Sequence, residues 1–441
     1  MNQKGIVLSG LVYVLLIFFL LLILSLLTVM WYRQNTLNTL SNNANEIYDE
    51  NEKIINGPYY NASEGVNHPY LAKGMTPVKW DGSKWIMTTT DDPDWYDYKE
   101  SSKKWANAIT EDDSMWVWIP RYSYNISAEW HSNVTGTINI QFSMVTDDTR
   151  GGTVTIVDTG SSNDSNGTWT NHPAFTFGDA ELTGIWVAKF EASGTKDSIS
   201  IKPNKSSLRN LTIGEMFTSA RGMENNDLYG WGSDGKFIDT HMAKNVEWGA
   251  ATYLSKSIYG KNIDRIWINP ADNYTTGCAG EVESSLSTTG CLYQYYTPKG
   301  VQTSTTGNVY GIYDMSGGTY EYTAAYVDNF NINLITYGNS IINAADKYKD
   351  IYTKASTETQ ENNYTTALNK KGDAIYETSN SYTGTASWFA DFSQMAYDKY
   401  PWFNRGSDWD TFSTSPFSFI CSEGLGGVNT FRPILLVNNS L

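Results

Sequence analysis

Side chains that bind metals or carry redox chemistry are scarce in this sequence, which has four histidines and three cysteines among 441 residues. No H-E-x-x-H, C-x-x-C, G-x-S-x-G or P-loop motif occurs, so the usual zinc, dithiol, serine-hydrolase and nucleotide sites are excluded as local motifs. Each histidine stands alone in a polar stretch, and we expect all of them at the surface or in turns: His68, His131, His172 and His241.

Basic residues are also in deficit, with 31 Lys and Arg against 47 Asp and Glu and a net charge of -16. Phosphate contacts need clustered Lys and Arg, so this balance argues against nucleic acid as a partner. Aromatic residues are abundant instead, with 16 Trp and 30 Tyr. They predict a large packed core and leave rings for a binding surface.

Three cysteines are too few for a disulfide-dense scaffold. Cys278 and Cys291 flank a short loop, TGCAGEVESSLSTTGC, and we expect a disulfide between them if the domain lies outside the cell. Two free thiols are the alternative. Cys421 has no partner in either case.

The one long hydrophobic run stands at the amino terminus. Residues 6–31 are apolar almost throughout, which exceeds the ~20 residues that span a bilayer as a helix. A secretory signal would have a shorter core and a small-residue cleavage site, and neither is present. Trp31, Tyr32 and Arg33 mark the far interface. Because the Asn-rich and aromatic remainder suits the cell exterior, we predict a single-pass protein of the cell membrane with a cytoplasmic amino terminus and an extracellular carboxy-terminal domain.

The first residues allow a second interpretation. NQKG followed by IVLSG resembles the class III leader of type IV prepilins, which are cut after the glycine, here Gly5. Gly10 replaces the family's glutamate at the fifth mature position. A minor pilin-like subunit therefore stands beside a plain signal anchor, and a mature chain beginning at Ile6 would favour it.

Composition divides the chain into four parts. We expect a membrane anchor over residues 1–33, a stalk and linker over 34–73, a small β-rich entry module over 74–110 and the main domain over 111–441. Large apolar residues predict core strands at 115–127 and 184–192, and periodicity predicts helices at 211–221 and 244–256. The long polar insertions are 128–177 and 327–386.

Residues 307–323, GNVYGIYDMSGGTYEYT, form the most distinctive motif of the sequence, with a Ser-Gly-Gly turn and an acidic residue between two tyrosines. They resemble the N-x-x-G-L-x-D-M-x-G-N-x-x-E-W core of the formylglycine-generating-enzyme (sulfatase-modifying-factor) family, with Gly318 where the family has Asn. Residues 241–253 and 404–433 resemble that family's P-T-E-A-E-W-E-Y-A-A helix and its R-G-G-S-W…G-F-R ending. The matching positions of the core are Asn308, Gly311, Asp314, Met315, Gly317 and Glu321.

The resemblance implies an α+β domain of the C-type-lectin-like fold with long loop insertions. Oxygen ligands from Glu321 and Asp314 would suit calcium, and a structural role for Glu321 is the alternative. The family's oxidase chemistry needs a pair of reactive cysteines in the carboxy-terminal motif, where this chain has only Cys421. We therefore expect a catalytically inactive domain, with an enzyme of altered mechanism as the alternative.

The carboxy-terminal segment, residues 402–427, alternates aromatic and small polar residues and is the best candidate for a binding surface. Its ligand would be a carbohydrate, a cell-wall component or another surface protein. A diversified binding region, as in retroelement-associated lectin-like proteins, is a further variant. Arg405 also matches a family arginine that braces the fold. The candidate ligand-binding residues are Arg405, Asp408, Trp409, Asp410 and Phe412.

Overall fold

The computed structural model describes residues 3–56, 59–146, 169–231, 238–280, 289–411 and 415–437. It divides the chain into two compact units, Met1–Gly57 and Pro58–Leu441. Both helices and strands are present, at 25% and 30%, so the chain is a mixed α/β protein and neither all-α nor all-β.

The first unit is one helix, α1, which runs over Gln3–Asn56. Within it, Val12–Thr36 is long and apolar enough to cross a membrane, with a mean hydropathy of 3.0. A signal sequence passes the same test. The helix continues through the first part of the predicted stalk, so no break in the backbone marks position 33.

Among the described residues, the second unit contains 25 strands, most of them short. In chain order, those of the first half are β1 Tyr60–Asn61, β2 Val66–Asn67, β3 Thr76–Trp80, β4 Trp85–Met87, β5 Asn107–Ile109, β6 Met115–Pro120, β7 Tyr122–Ala128, β8 Thr137–Phe142, β9 Thr170–Asn171, β10 Thr176–Phe177, β11 Ala180–Glu181, β12 Gly184–Ala188, β13 Ser193–Thr195, β14 Ser198–Ser200 and β15 Ile238–Met242. Those of the second half are β16 Cys278–Ala279, β17 Tyr293–Gln294, β18 Tyr320–Asp328, β19 Asp350–Thr353, β20 Thr383–Ser387, β21 Asp391–Gln394, β22 Trp402–Arg405, β23 Phe419–Ser422, β24 Asn429–Phe431 and β25 Pro433–Val437.

In the part of the chain that the structure describes, four α-helices accompany these strands: α2 Ile213–Gly222, α3 Asn245–Ser255, α4 Ile332–Ile342 and α5 Gln360–Thr366. The two helices predicted from sequence are confirmed as α2 and α3. Thr212 and Glu215 form a reciprocal capping box at the start of α2, which satisfies two backbone donors that the first turn leaves open. Glu247 accepts from the Lys244 backbone amide at 2.9 Å and does the same for α3.

The first large sheet has seven strands in the order β15-β25-β12-β6-β5-β3-β4. The predicted strand at 115–127 is two strands, β6 and β7, because the chain leaves this sheet at Pro120 and enters a three-stranded sheet, β8-β7-β9. Strands β3 to β5 come from residues 74–110 and pair directly with the sheet of the main domain. That stretch is therefore part of the large sheet, and the expected entry module is not a separate body.

The second large sheet has the order β19-β18-β22-β23-β21-β20, with β24 paired to β18 as well. Its strand β18 carries the end of the motif at 307–323 and is buried over most of its length. The insertion at 327–386 supplies α4, α5, β19 and most of β20, and with the carboxy-terminal strands it builds a second hydrophobic core. Buried members of this core include Val327, Tyr352, Tyr364, Ile375, Phe403 and Phe419.

Candidate functional site

Arg405 is fully buried, so it does not contact a ligand at the surface as its place in the candidate set implied. Its guanidinium donates to the carbonyl oxygens of Asp373 at 2.8 Å, Ala374 at 2.9 Å and Ser418 at 3.1 Å. Burial lowers its pKa to about 10. Arg405 thus ties the insertion to the carboxy-terminal strands, which is the bracing role that the sequence also allowed.

The chain turns outward directly after Arg405. Gly406 has φ 74°, which glycine adopts freely, and Ser407 has φ 55°, a left-handed conformation that is strained for a residue with a side chain and recurs at functional sites. The turn leads to Asp408 and Trp409, which are half-buried, and to Asp410, which is exposed. Phe412, the last candidate, lies outside the described residues.

Aromatic side chains from other parts of the chain meet this turn. The ring of Trp409 lies edge-on to Tyr274, with centroids 6.4 Å apart. The guanidinium of Arg209 is 3.8 Å from the centroid of the same Tyr274 ring, a cation–π distance. We call this surface the Asp408 cluster and define it as Arg209, Tyr274, Tyr320, Asp408, Trp409 and Asp410.

The electrostatics of the Asp408 cluster are unusual for a half-buried surface. Burial raises the pKa of Asp408 to about 6, and the negative charge of Asp410 adds to the rise. Burial, together with the charge of Asp408, also raises the pKa of Tyr320 to about 12. The Asp408 carboxylate accepts from the hydroxyl of Thr411 at 2.6 Å. A pKa raised to about 6 lets Asp408 change its charge at mildly acidic pH.

The two carboxylates expected to bind calcium both accept hydrogen bonds from protein donors. Glu321 is fully buried and accepts from the guanidinium of Arg432. Asp314 accepts from the Gly277 amide at 2.9 Å and the Asn269 side chain at 2.9 Å. Within the described ranges, no group of three or more His, Cys, Asp or Glu is placed to hold a metal ion. These contacts give Glu321 and Asp314 a bracing role. Oε2 of Glu321 has no hydrogen-bond partner among the described residues, and calcium binding stays a prediction.

Two of the three cysteines form the disulfide that their spacing suggested, and the third is free. Cys278 and Cys291 are joined by a disulfide that closes a loop 13 positions long. Cys421 lies in the second core, and burial raises the pKa of its thiol to about 12. A thiol with that pKa stays protonated, whereas copper binding and attack on a substrate thiol both require the thiolate.

Sequence reasoning missed a buried histidine. His241 is fully buried on β15, with Nδ1 2.8 Å from Asp239 and Nε2 3.0 Å from Glu247. Burial alone would lower its pKa, but the two carboxylates raise it. His68 and His172 are buried as well, so the surface position that the sequence suggested, with a turn as its alternative, is wrong for these three residues. No sequence motif announces their partners.

A second missed feature is a groove of about 830 Å³ between α2 and α4. Its walls lie more than 100 residues apart in sequence, so periodicity could not place them together. The only sequence signal was the length of the insertion that contributes α4.

In comparisons with known proteins, no family model matches the chain, and no curated protein matches it in sequence.

Proposed function

We propose that this chain is a membrane-anchored bacterial surface protein whose lectin-like domain binds a ligand without catalysis. The ligand is a carbohydrate, a cell-wall component or another surface protein, and the amino terminus is cytoplasmic. The observation that carries the proposal is the Asp408 cluster, where a strained turn presents an indole and two carboxylates beside Tyr274 and Tyr320. Trp, Tyr and Arg are the side chains that most often anchor binding interfaces.

Two further features support this proposal. The apolar span Val12–Thr36 suits a membrane anchor. The Cys278–Cys291 disulfide suits an oxidising exterior. The alternative of an oxidase with altered mechanism depends on Cys421, whose buried, protonated thiol disfavours it.

The role of Trp409 is testable by binding. The full chain, inserted in lipid nanodiscs, is applied to an array of glycans, peptidoglycan fragments and intact bacterial cells. We expect Trp409→Ala to weaken the strongest signal by at least about tenfold, since an interface anchor contributes about 2 kcal/mol or more.

Phe330→Ala is the matched control for Trp409→Ala. Its ring is 84% exposed and follows the far end of β18. Tyr320 begins that nine-residue strand, so at ~3.3 Å per residue Phe330 lies roughly 30 Å from the Asp408 cluster. Equal losses from the two variants would contradict the assignment of the site.

The pKa of Asp408 gives an independent prediction. Most Asp408 side chains are protonated at about pH 5 and ionised at about pH 7.5, because the pKa is raised to about 6. If the carboxylate accepts hydrogen bonds from the ligand, affinity rises with pH across this window. Asp408→Asn should flatten the profile. A wild-type profile that is already flat, or one that Asp408→Asn leaves unchanged, would remove Asp408 from the site.

A further inference from the structure

A close contact between α2 and α4 fixes the relative position of the two helices that form the groove. A β-carbon on Gly214 of α2 would lie 2.7 Å from the carbonyl oxygen of Tyr337 and 3.2 Å from the Cα atom of Gly338, so only glycine permits this approach. The hydroxyl of Ser340 donates to the Gly214 carbonyl oxygen at 2.7 Å and locks the contact. The groove is therefore preformed, as most small-molecule sites are.

The kink in α4 is determined by its contact with Trp402. Gly338 departs from helical geometry, with φ -130° and ψ 24°, and a β-carbon there would lie 2.1 Å from the ring of Trp402. The fully buried Trp402 thus fixes the kink that orients Thr336 and Tyr337 along one wall. This wall comes from the insertion at 327–386. The insertion is much longer than the usual connection between two secondary-structure elements.

Polar groups on both walls are left for a ligand. The side chains of Ser219 and Asn225 on one wall, and of Thr336 and Tyr337 on the other, line the groove and make no hydrogen bond to the described residues. Asn225 and Thr336 are exposed to solvent, and Ser219 and Tyr337 are half-buried. These are neutral donors and acceptors, accompanied by one half-buried ring. At about 830 Å³ the groove is within the size range of small-ligand sites.

The charges along the groove oppose an anionic ligand. Its lining carries the carboxylates of Asp197, Glu215 and Asp227 against the single amine of Lys196. Glu215 is already engaged by the Thr212 amide at 2.8 Å. A ligand rich in hydroxyl groups and without charge matches the remaining donors and acceptors.

From these contacts we infer that the α2–α4 groove binds a short uncharged oligosaccharide. The site shares no residue with the Asp408 cluster, so its occupancy does not depend on the function proposed above.

Gly222 provides a way to block the groove without disturbing the fold. It lines the groove, its φ of -68° is compatible with any L-residue, and a β-carbon there meets nothing within 4 Å. Gly222→Trp should fill the groove, while Gly222→Ala adds only a methyl group and serves as the matched control. Ser219→Ala combined with Asn225→Ala removes hydrogen-bonding groups from one wall without adding bulk.

The experiment uses the full chain in nanodiscs with a panel of neutral di- to tetrasaccharides, their uronic-acid counterparts and a trilysine peptide, each followed by saturation-transfer NMR and titration to about 10 mM. We expect at least one neutral sugar to bind, at least tenfold more weakly in Gly222→Trp and in the double alanine variant, and unchanged in Gly222→Ala. Trp409→Ala should leave this binding unchanged, which separates it from the Asp408 cluster. Absence of neutral-sugar binding, preference for the acidic sugars or for trilysine, or insensitivity to Gly222→Trp would each overturn the inference.

Discussion

Replacing Arg432 with alanine is expected to lower the free energy of unfolding by about 3–5 kcal/mol, the usual cost of breaking a buried ion pair from one side. Arg432 is 1% exposed and donates to the Ala188 carbonyl oxygen at 2.8 Å, to the Tyr313 carbonyl oxygen at 3.0 Å and to the Glu321 carboxylate. The variant leaves Glu321 buried beside Asp314 without a cation. Urea denaturation of the full chain measures the loss.

The loss of stability in Arg432→Ala should also depend on pH, in a direction that follows from the pKa of Glu321. Burial raises the pKa of Glu321 to about 7 in the folded protein, and Arg432 opposes that rise. Without Arg432 the folded-state pKa rises further above the ordinary value of 4.5. A group whose folded-state pKa is raised contributes stability at low pH that is lost as pH increases. The deficit of Arg432→Ala should therefore be smaller at about pH 5 than at about pH 8.

A double variant tests whether charge burial is the cause. Arg432→Met with Glu321→Gln removes both charges at similar volume and should recover part of the stability. A loss below about 1 kcal/mol in Arg432→Ala, or no recovery in the double variant, would show that the pair does not brace the fold.

Gly249→Ala is expected to destabilise the protein by about 2–3 kcal/mol or more, because the added methyl group overpacks a closed interface. Helix α3 lies so close to the insertion that a β-carbon on Gly249 would be 1.8 Å from the carbonyl oxygen of Gly372. Backbone atoms cannot move aside as a flexible side chain can. Thermal and urea denaturation report the change.

Gly222→Ala is the control for Gly249→Ala, since the chemical change is identical and also falls within a helix. Its β-carbon meets nothing, so we expect a gain of about 0.5–1 kcal/mol from reduced backbone freedom in the unfolded chain. A loss in Gly249→Ala no larger than any loss in Gly222→Ala would contradict the close contact of α3 with the insertion.

The features predicted correctly from sequence are those that depend on residues close together in the chain. The capping box of Thr212 and Glu215 spans three residues, and α2 begins where those residues place it. The short spacing of Cys278 and Cys291 likewise pointed to the bond between them. The apolar run at the amino terminus needed only its length and composition to be read as a helix that could span a membrane.

Burial determined by distant partners could not be predicted. The residue pattern placed Arg405 on a binding surface, and only the family resemblance gave it a bracing role. Its carbonyl partners lie more than 30 positions earlier in the chain, where no local pattern points to them. Within the candidate site, Asp408 and Trp409 were identified by residue type, whereas Arg209 and Tyr274 were missed. These two residues reach the turn only through the fold, and nothing in their own neighbourhood in sequence indicates it.

Strand β18 runs from the surroundings of one proposed binding site to the residues that support the other. Tyr320 starts the strand beside Asp408, and Tyr326 pairs with Trp402, on whose ring α4 bends at Gly338. Six residues of extended chain separate these points by roughly 20 Å. A polymer long enough to reach both sites would bind the second at a high effective concentration, and its avidity would exceed either separate affinity. A fragment shorter than this spacing would bind each site independently, so the length of the ligand would decide how tightly it is held.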